Sequence, residues 1–315
     1  MVWRHGWLRI GKVRIASYNV RYFGHGLKGL ASTAASKSRI ASALVGLDEV
    51  PDLIALQEVE TRSLRAGPGL QESETQLEAF MRHLEAVGEG RRRMPKWVAH
   101  YFPAHAYQVG GVKLYTTGLA VLVNADTLRV VRDNRHAPQH ITHYPKIRVT
   151  KQSRIMAHLH LERADGQSFH LFNTHLSLPT PFRKEFWGAD VRMGYGPNQL
   201  AEAANVLTHA RACAGKEPFL IVGDFNSAPG SPVYQQLTEQ GGLVGAQAAL
   251  EQIDPKDPRG FPTAGFMRLR MHLDHLFSSP DVEWKDLEGT RKFGDPHSPF
   301  HGLSDHVPLV ARFEL

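Results

Sequence analysis

The chain has one cysteine, Cys213, in 315 residues. That excludes an intramolecular disulfide and any metal cluster built on thiolates. A reducing compartment suits such a chain, so a cytoplasmic protein is expected. Long apolar runs are missing as well. No stretch reaches the roughly eighteen consecutive apolar residues of a membrane span, so no transmembrane segment is expected. The opening residues, MVWRHGWLRIGKVRIAS, carry basic side chains but no apolar core, and are read as no secretory leader. No Pro/Gly/Ser-rich linker separates two classes of composition. Residues 1–315 therefore read as a single domain, with a monomer as the default state. Acidic residues fall short of basic ones, 31 against 37, for a formal net charge of +6 and a pI near 9.4. Such a field draws anionic partners but does not choose among nucleic acid, nucleotides and phospholipid headgroups.

What is present centres on PFLIVGDFNSAPGSP, Pro218 to Pro232. Its short apolar run, bounded by Pro218 and a Pro/Gly cluster, reads as a buried strand. The strand carries Asp224 and Asn226 at its C-terminal end, two apart and hence on one side of an extended segment. A carboxylate there takes a proton or holds a water, and an amide stabilises developing charge. Asp, Asn, Ser, Pro and Gly are also ordinary turn formers, so this stretch alone is equally a strand running into a turn.

The other core strands repeat the pattern. Val13 to Asn19 ends in an amide, and Leu53 to Val59 closes on Glu58, a carboxylate rarely buried without a partner. Gln167 to Leu176 presents Asn173 and His175. Met271 to Ser278 contains Asp274, and Asp305 and His306 precede a terminal strand. Helical spacing predicts helices over Ser36 to Leu47, Glu72 to Val87 and Pro197 to Ala214. Further strands are expected at Trp97 to Val109, Gly118 to Asn124 and Asp281 to Phe293. Arg154 to Glu162 alternates apolar and polar residues, which suits a half-exposed strand with His158 and His160 at the surface. The run Arg91, Arg92, Arg93 and Lys96 beside Trp97 is either a phosphate and base contact or a solvated loop. Arg183 and Lys184, in a loop with Phe182, Phe186 and Trp187, belong either to a substrate-contacting lid or to packed structure. Strand, helix and polar-tipped strand occur over Arg14 to Glu58 and again over Phe169 to Asn226, a weak internal echo of the kind any α/β chain can show.

Polar tips on six apolar strands are hard to explain by packing, so function is expected where those ends meet. The set SYN at 17–19, LQE at 56–58, NTHL at 173–176, GDFN at 223–226, LDH at 273–275 and SDH at 304–306 resembles the endonuclease/exonuclease/phosphatase superfamily, the DNase I-like fold. The pieces occur in family order over nearly the whole chain. The resemblance implies an α+β class, a four-layered sandwich of two mixed sheets flanked by helices. It also implies phosphoester hydrolysis dependent on Mg²⁺ or Mn²⁺.

Under that resemblance Glu58 is a metal ligand, with Asn19 assisting directly or through water. Asp305 is a carboxylate for the same metal's surroundings or for a second ion. Asp224 orients or deprotonates the attacking water, Asn226 holds that water or a phosphoryl oxygen, and His175 donates to the phosphoryl group. His306 contacts phosphate or acts as acid or base, with Asp274 fixing its tautomer. Asn173, Arg183 and Lys184 are expected on the substrate. Whether Asp224 or His306 is the base, and whether one metal or two is used, stay open. Nucleic acid is the expected substrate; small or lipid phosphoesters are the alternative. A catalytically dead binding module is disfavoured because every carboxylate, amide and histidine of the set is retained.

Overall fold

The computed structural model describes residues 11–24, 33–60, 75–89, 94–109, 112–142, 153–179, 193–266, 269–288 and 292–315. Arg91, Arg92, Arg93, Arg183 and Lys184 lie outside the described residues. The strands are β1 (Lys12–Asn19), β2 (Leu53–Val59), β3 (Trp97–Val109), β4 (Val112–Asn124), β5 (Leu128–Asp133), β6 (Gln139–His140), β7 (Ile155–Arg163), β8 (Ser168–His175), β9 (Phe219–Asp224), β10 (Val244–Gly245), β11 (Ala264–Phe266), β12 (Leu269–Met271), β13 (Asp274–Ser278), β14 (Glu283–Leu287) and β15 (Leu309–Glu314). The helices are α1 (Ala34–Val45), α2 (Gln76–Gly88), α3 (Pro197–Ala214), α4 (Pro232–Leu237) and α5 (Ala246–Ala249).

One sheet has the order β14-β15-β1-β2-β4-β3. The other runs β10-β13-β9-β8-β7-β5, with β6 also on β7. Each holds one parallel pair, β1 with β2 and β8 with β9, flanked by antiparallel strands. A parallel pair needs a crossover, which α1 and α3 supply. The internal echo in the sequence corresponds to these two strand–helix–strand units.

Alternation along the strands builds three apolar layers. Ile15, Ala55, Val121, Leu159, Leu171 and Val222 pack between the sheets. Tyr18, Leu56 and Leu122 face α1 and α2 through Ile40, Leu44 and Phe80. Phe172, Ile221 and Phe277 face α3 and α4 through Val206, Ala210 and Val233. The result is a four-layered α/β/β/α sandwich of the α+β class.

Local signals set the helix ends. Thr75 and Glu78 form a reciprocal cap at the start of α2, Thr75 Oγ1 accepting from Glu78 N at 3.2 Å and Glu78 Oε2 from Thr75 N at 2.6 Å. Pro197 opens α3, where its missing N–H costs no intrahelical bond.

Two expectations need correction. The stretch Arg154 to Glu162 is more covered than expected: His158 is buried, while His160 and Glu162 on the same face stay partly exposed. Met271 to Ser278 is not one strand. Met271 belongs to the separate ribbon β11–β12, and β13 begins at Asp274.

Topology explains why the polar tips converge. Asn19, His175 and Asp224 end β1, β8 and β9. Strands β13 and β15 run antiparallel to β9 and β1, so their beginnings, with Asp274 and the preceding Asp305 and His306, lie at that same end.

Candidate active site

Backbone at this end is unusually strained. Non-glycine residues with positive φ among those described are Arg21, Tyr22, Phe23, Glu58, Asn226 and Glu251, and all but the last border the polar cluster. Such conformations cost about 1–3 kcal/mol each and persist where the surroundings dictate them. Glu58 has φ 54° within a register shift between Leu56 and Val59 in the β2–β4 pairing. A bulge of this kind re-aims a side chain. Gly223 carries φ 143°, and a Cβ there would lie 1.9 Å from the Thr174 carbonyl oxygen. Only glycine lets β9 approach β8 this closely, immediately before Asp224.

Asp224 is the hub. Its Oδ2 accepts from Asn19 Nδ2 at 3.1 Å and its Oδ1 from the Asn226 backbone N–H at 2.9 Å. His175 Nε2 lies 3.4 Å and His306 Nε2 3.6 Å from Oδ2. His306 Nδ1 faces Asp274 Oδ2 at 2.9 Å, and the Thr263 hydroxyl donates to that same oxygen at 2.6 Å. Asn226 Nδ2 donates to the Leu176 carbonyl at 2.9 Å and lies 3.3 Å from His175 Nε2. Asp305 pairs with Arg21 at 2.8 Å, and the Ser304 hydroxyl donates to the Asn19 carbonyl at 2.7 Å, tying the SDH segment to β1.

Burial sets the charges. It raises Asp224 to about 7, with Asp274 adding to the rise and His306 opposing it. Burial alone would lower His306, but the carboxylates Asp274 and Asp224 raise it to about 10. Burial, then the positive charges of Arg154 and His306, hold His175 well below the usual histidine range. At neutral pH the site therefore contains one imidazolium, His306, and one neutral imidazole, His175. Glu58 is raised by burial and by Asp305, while His306, Arg154 and a hydrogen bond from Asn19 oppose the shift.

Burial is the first cause of the raised Glu58, and the neighbouring Asp305 adds negative charge to it. Glu58 and Asp305 thus fit a hard divalent cation that takes carboxylate oxygens and keeps several waters. Asn19 points its amide nitrogen at Asp224, and its oxygen accepts from Arg21 N at 3.0 Å. Asp224, Asp274 and His306 also have ligand atoms within 4.8 Å of one another.

Asn173 does not belong to this surface. It is fully buried between the sheets, its Nδ2 donating to the carbonyls of Leu56 and Ala120 at 3.0 and 3.2 Å and its Oδ1 accepting from Gln57 Nε2 at 2.8 Å. The expected substrate contact is corrected to a tie between the sheets.

Sequence reasoning missed the supporting residues. Thr263 and Gln247 hold Asp274, Gln247 Nε2 donating to its carbonyl at 3.0 Å. Gln199 Nε2 donates to the Asn226 carbonyl at 2.7 Å, and His275 meets the Ser227 carbonyl at 2.7 Å, which fixes the turn after β9. Arg154 was also missed. It precedes β7, which is antiparallel to β8, so it stands beside His175, with a shielded Nε that has no hydrogen-bond partner.

The sequence pattern of the Endonuclease/Exonuclease/phosphatase family matches residues 16–306. The chain belongs to that family, whose members hydrolyse phosphoesters and generally use divalent metal ions. It is similar to Carbon catabolite repressor protein 4 homolog 4 of Arabidopsis thaliana, 29% identical over 170 residues, which is 45% of this chain and 37% of that protein. The match thus spans little more than a third of that relative's length. The fold is that of the human Nocturnin catalytic domain with a bound sulfate anion (TM-score 0.63, 19% identity, 98% of this chain and 94% of that one). It is also that of ANGEL2, a 2′,3′-cyclic phosphatase (TM-score 0.63, 16% identity, 96% and 95%).

Proposed function

We propose that this chain is a phosphodiesterase of nucleic acid, dependent on Mg²⁺ or Mn²⁺, that works by attack of water on phosphorus. The observation that carries the reading is the buried run Asp274–His306–Asp224, which sets a protonated imidazole beside a carboxylate that titrates near neutrality. The net charge of +6 supports a polyanionic substrate.

Asp224 is the proton acceptor. Its raised value lies near working pH, where a general base is most effective. Water oxygen bonds to phosphorus, its proton passes to Asp224, the bond to the leaving oxygen breaks, and that oxygen takes a proton from solvent. His306 is already protonated and so is not the base. At 3.6 Å from Asp224 it is too near the attacking side to serve an in-line leaving group, so it donates to a non-bridging oxygen. His175 and Arg154 face the same oxygens, and Asn226 orients His175. Glu58, with Asp305, would hold the cation, whose chemistry is neutralisation of the phosphoryl charge.

A second reading, hydrolysis of small or lipid phosphoesters, is favoured by the likeness to a 2′,3′-cyclic phosphatase. The test is purified protein against supercoiled plasmid, single-stranded oligonucleotide, bis-p-nitrophenyl phosphate, sphingomyelin and inositol phosphates, with and without Mg²⁺ or Mn²⁺. Metal-dependent plasmid or oligonucleotide cleavage that weakens steeply with salt, and is lost in Asp224→Asn, supports the nuclease reading. Turnover of small or lipid esters alone replaces it with the second.

A further inference from the structure

The outer face of the second sheet carries a second cluster of ligating side chains. His160 on β7 is the cross-strand partner of His170 on β8, and His158 that of Phe172. The rings of His160 and His170 stack at 4.4 Å between centroids with 2° between their planes. Both present Nε2 to one atom, Glu217 Oε2, at 2.9 and 3.3 Å. Glu217 sits in the turn between α3 and β9, and the Ser168 hydroxyl donates to the same oxygen at 2.9 Å.

We propose that His160, His170 and Glu217 form a site for a divalent transition-metal ion, with Zn²⁺ as the best-suited occupant. Their ligand atoms all lie within 4.8 Å of one another. His160 Nε2 is shut away from solvent and turned to the Glu217 carboxylate. Two imidazoles and one carboxylate are a borderline donor set that suits Zn²⁺ over Mg²⁺.

The surrounding shell supports the assignment. A ligating imidazole usually donates its other N–H to a fixed acceptor. His170 Nδ1 lies 2.7 Å from His158 Nε2, and burial and the neighbouring histidines lower His158 to about 3, so it stays neutral and able to accept. Burial likewise lowers His170. Glu217 is half-exposed, which leaves room for a water on the ion. Arg132, opposite His160 on β5, is the nearby cation that would weaken the site.

This site is separate from the catalytic cluster. His170 lies five residues before His175, roughly 17 Å along the strand and on the opposite face of the sheet. An ion there would staple the β7–β8 hairpin to the turn that feeds β9.

The test is Zn²⁺ content after equilibrium dialysis, with Mg²⁺ in excess, of full-length protein and of His160→Ala and Glu217→Gln. Circular dichroism checks the fold, and phosphoester hydrolysis serves as an independent readout. Expected is one Zn²⁺ fewer per chain in both variants, loss of the Zn²⁺-induced rise in melting temperature, and unchanged hydrolysis. Co²⁺ should give a visible ligand-field band in the wild type that Glu217→Gln weakens. Equal Zn²⁺ content in the wild type and a folded Glu217→Gln, with no change in the Co²⁺ band, would overturn the proposal.

Discussion

His306 Nδ1 lies 2.9 Å from Asp274 Oδ2 at a point where both side chains are almost completely buried. Burial would drive the imidazole neutral, but Asp274 and Asp224 together outweigh it and lift His306 to about 10. The sign follows directly. A raised histidine stabilises the fold fully below its ordinary value of about 6.5, and that contribution is lost as pH rises through about 10. In metal-free Asp274→Asn the His306 titration should fall well below 10, and stability at neutral pH should fall with it. Imidazole NMR resonances followed against pH check this; an unchanged midpoint would remove Asp274 as the cause.

Glu58 shows the same sign of pH dependence for a different cause. Its carboxyl is raised by burial and by Asp305, so its contribution to the metal-free fold is present at low pH and lost as pH rises through the shifted value. Glu58→Gln should therefore leave the metal-free protein at neutral pH as stable as the wild type or more so. It should also shrink the rise in melting temperature that Mg²⁺ or Mn²⁺ brings and cut turnover by orders of magnitude. Melting curves with and without cation separate the two effects. A full cation-induced shift in Glu58→Gln would take Glu58 out of the metal site.

The polar tips were legible because each stands at one end of an apolar run, a pattern packing does not produce. Their convergence was less so, since it needs β13 and β15 to run antiparallel to β9 and β1, a fact of topology. Arg154 was hidden for the same reason, being at the start of a strand whose direction was unknown. Asn173 was misread because it shares a face with His175. That face meets the polar cluster only at its tip, and two residues, roughly 7 Å, further down it lies between the sheets. The alternation in β7 pointed to surface histidines; His160 stays partly exposed, but His158 stacks on Phe172, which α3 meets edge-on through His209.

Gly223 tests how closely the site depends on strand spacing. Gly223→Ala puts a methyl against the Thr174 carbonyl at a backbone angle that disfavours any side chain. The strands must separate, at a cost of about 1–3 kcal/mol by analogy with overpacked cores. Asp224 moves with β9 and His175 with β8, so turnover should fall more than stability does. Comparing kcat with the denaturation midpoint checks this. Wild-type kcat in the variant would mean that the spacing is not needed for chemistry.

Asn173 gives the complementary case, a family-motif residue whose atoms are all occupied by the fold. Asn173→Ala leaves the carbonyls of Leu56 and Ala120 and the amide of Gln57 without this partner in a dry interior. Gln57 Nε2 keeps Ser17 Oγ and the Ala55 carbonyl, so the loss falls mainly on the two carbonyls, at about 1–3 kcal/mol for each left unsatisfied. Below its melting temperature KM should stay close to the wild-type value, because the side chain is too deep to touch a phosphoester. Denaturant titration and steady-state kinetics on the same preparation decide between the roles. A raised KM with unchanged stability would return Asn173 to the substrate surface. Lost stability with normal KM fits a residue that holds β2, β4 and β8 together behind the site.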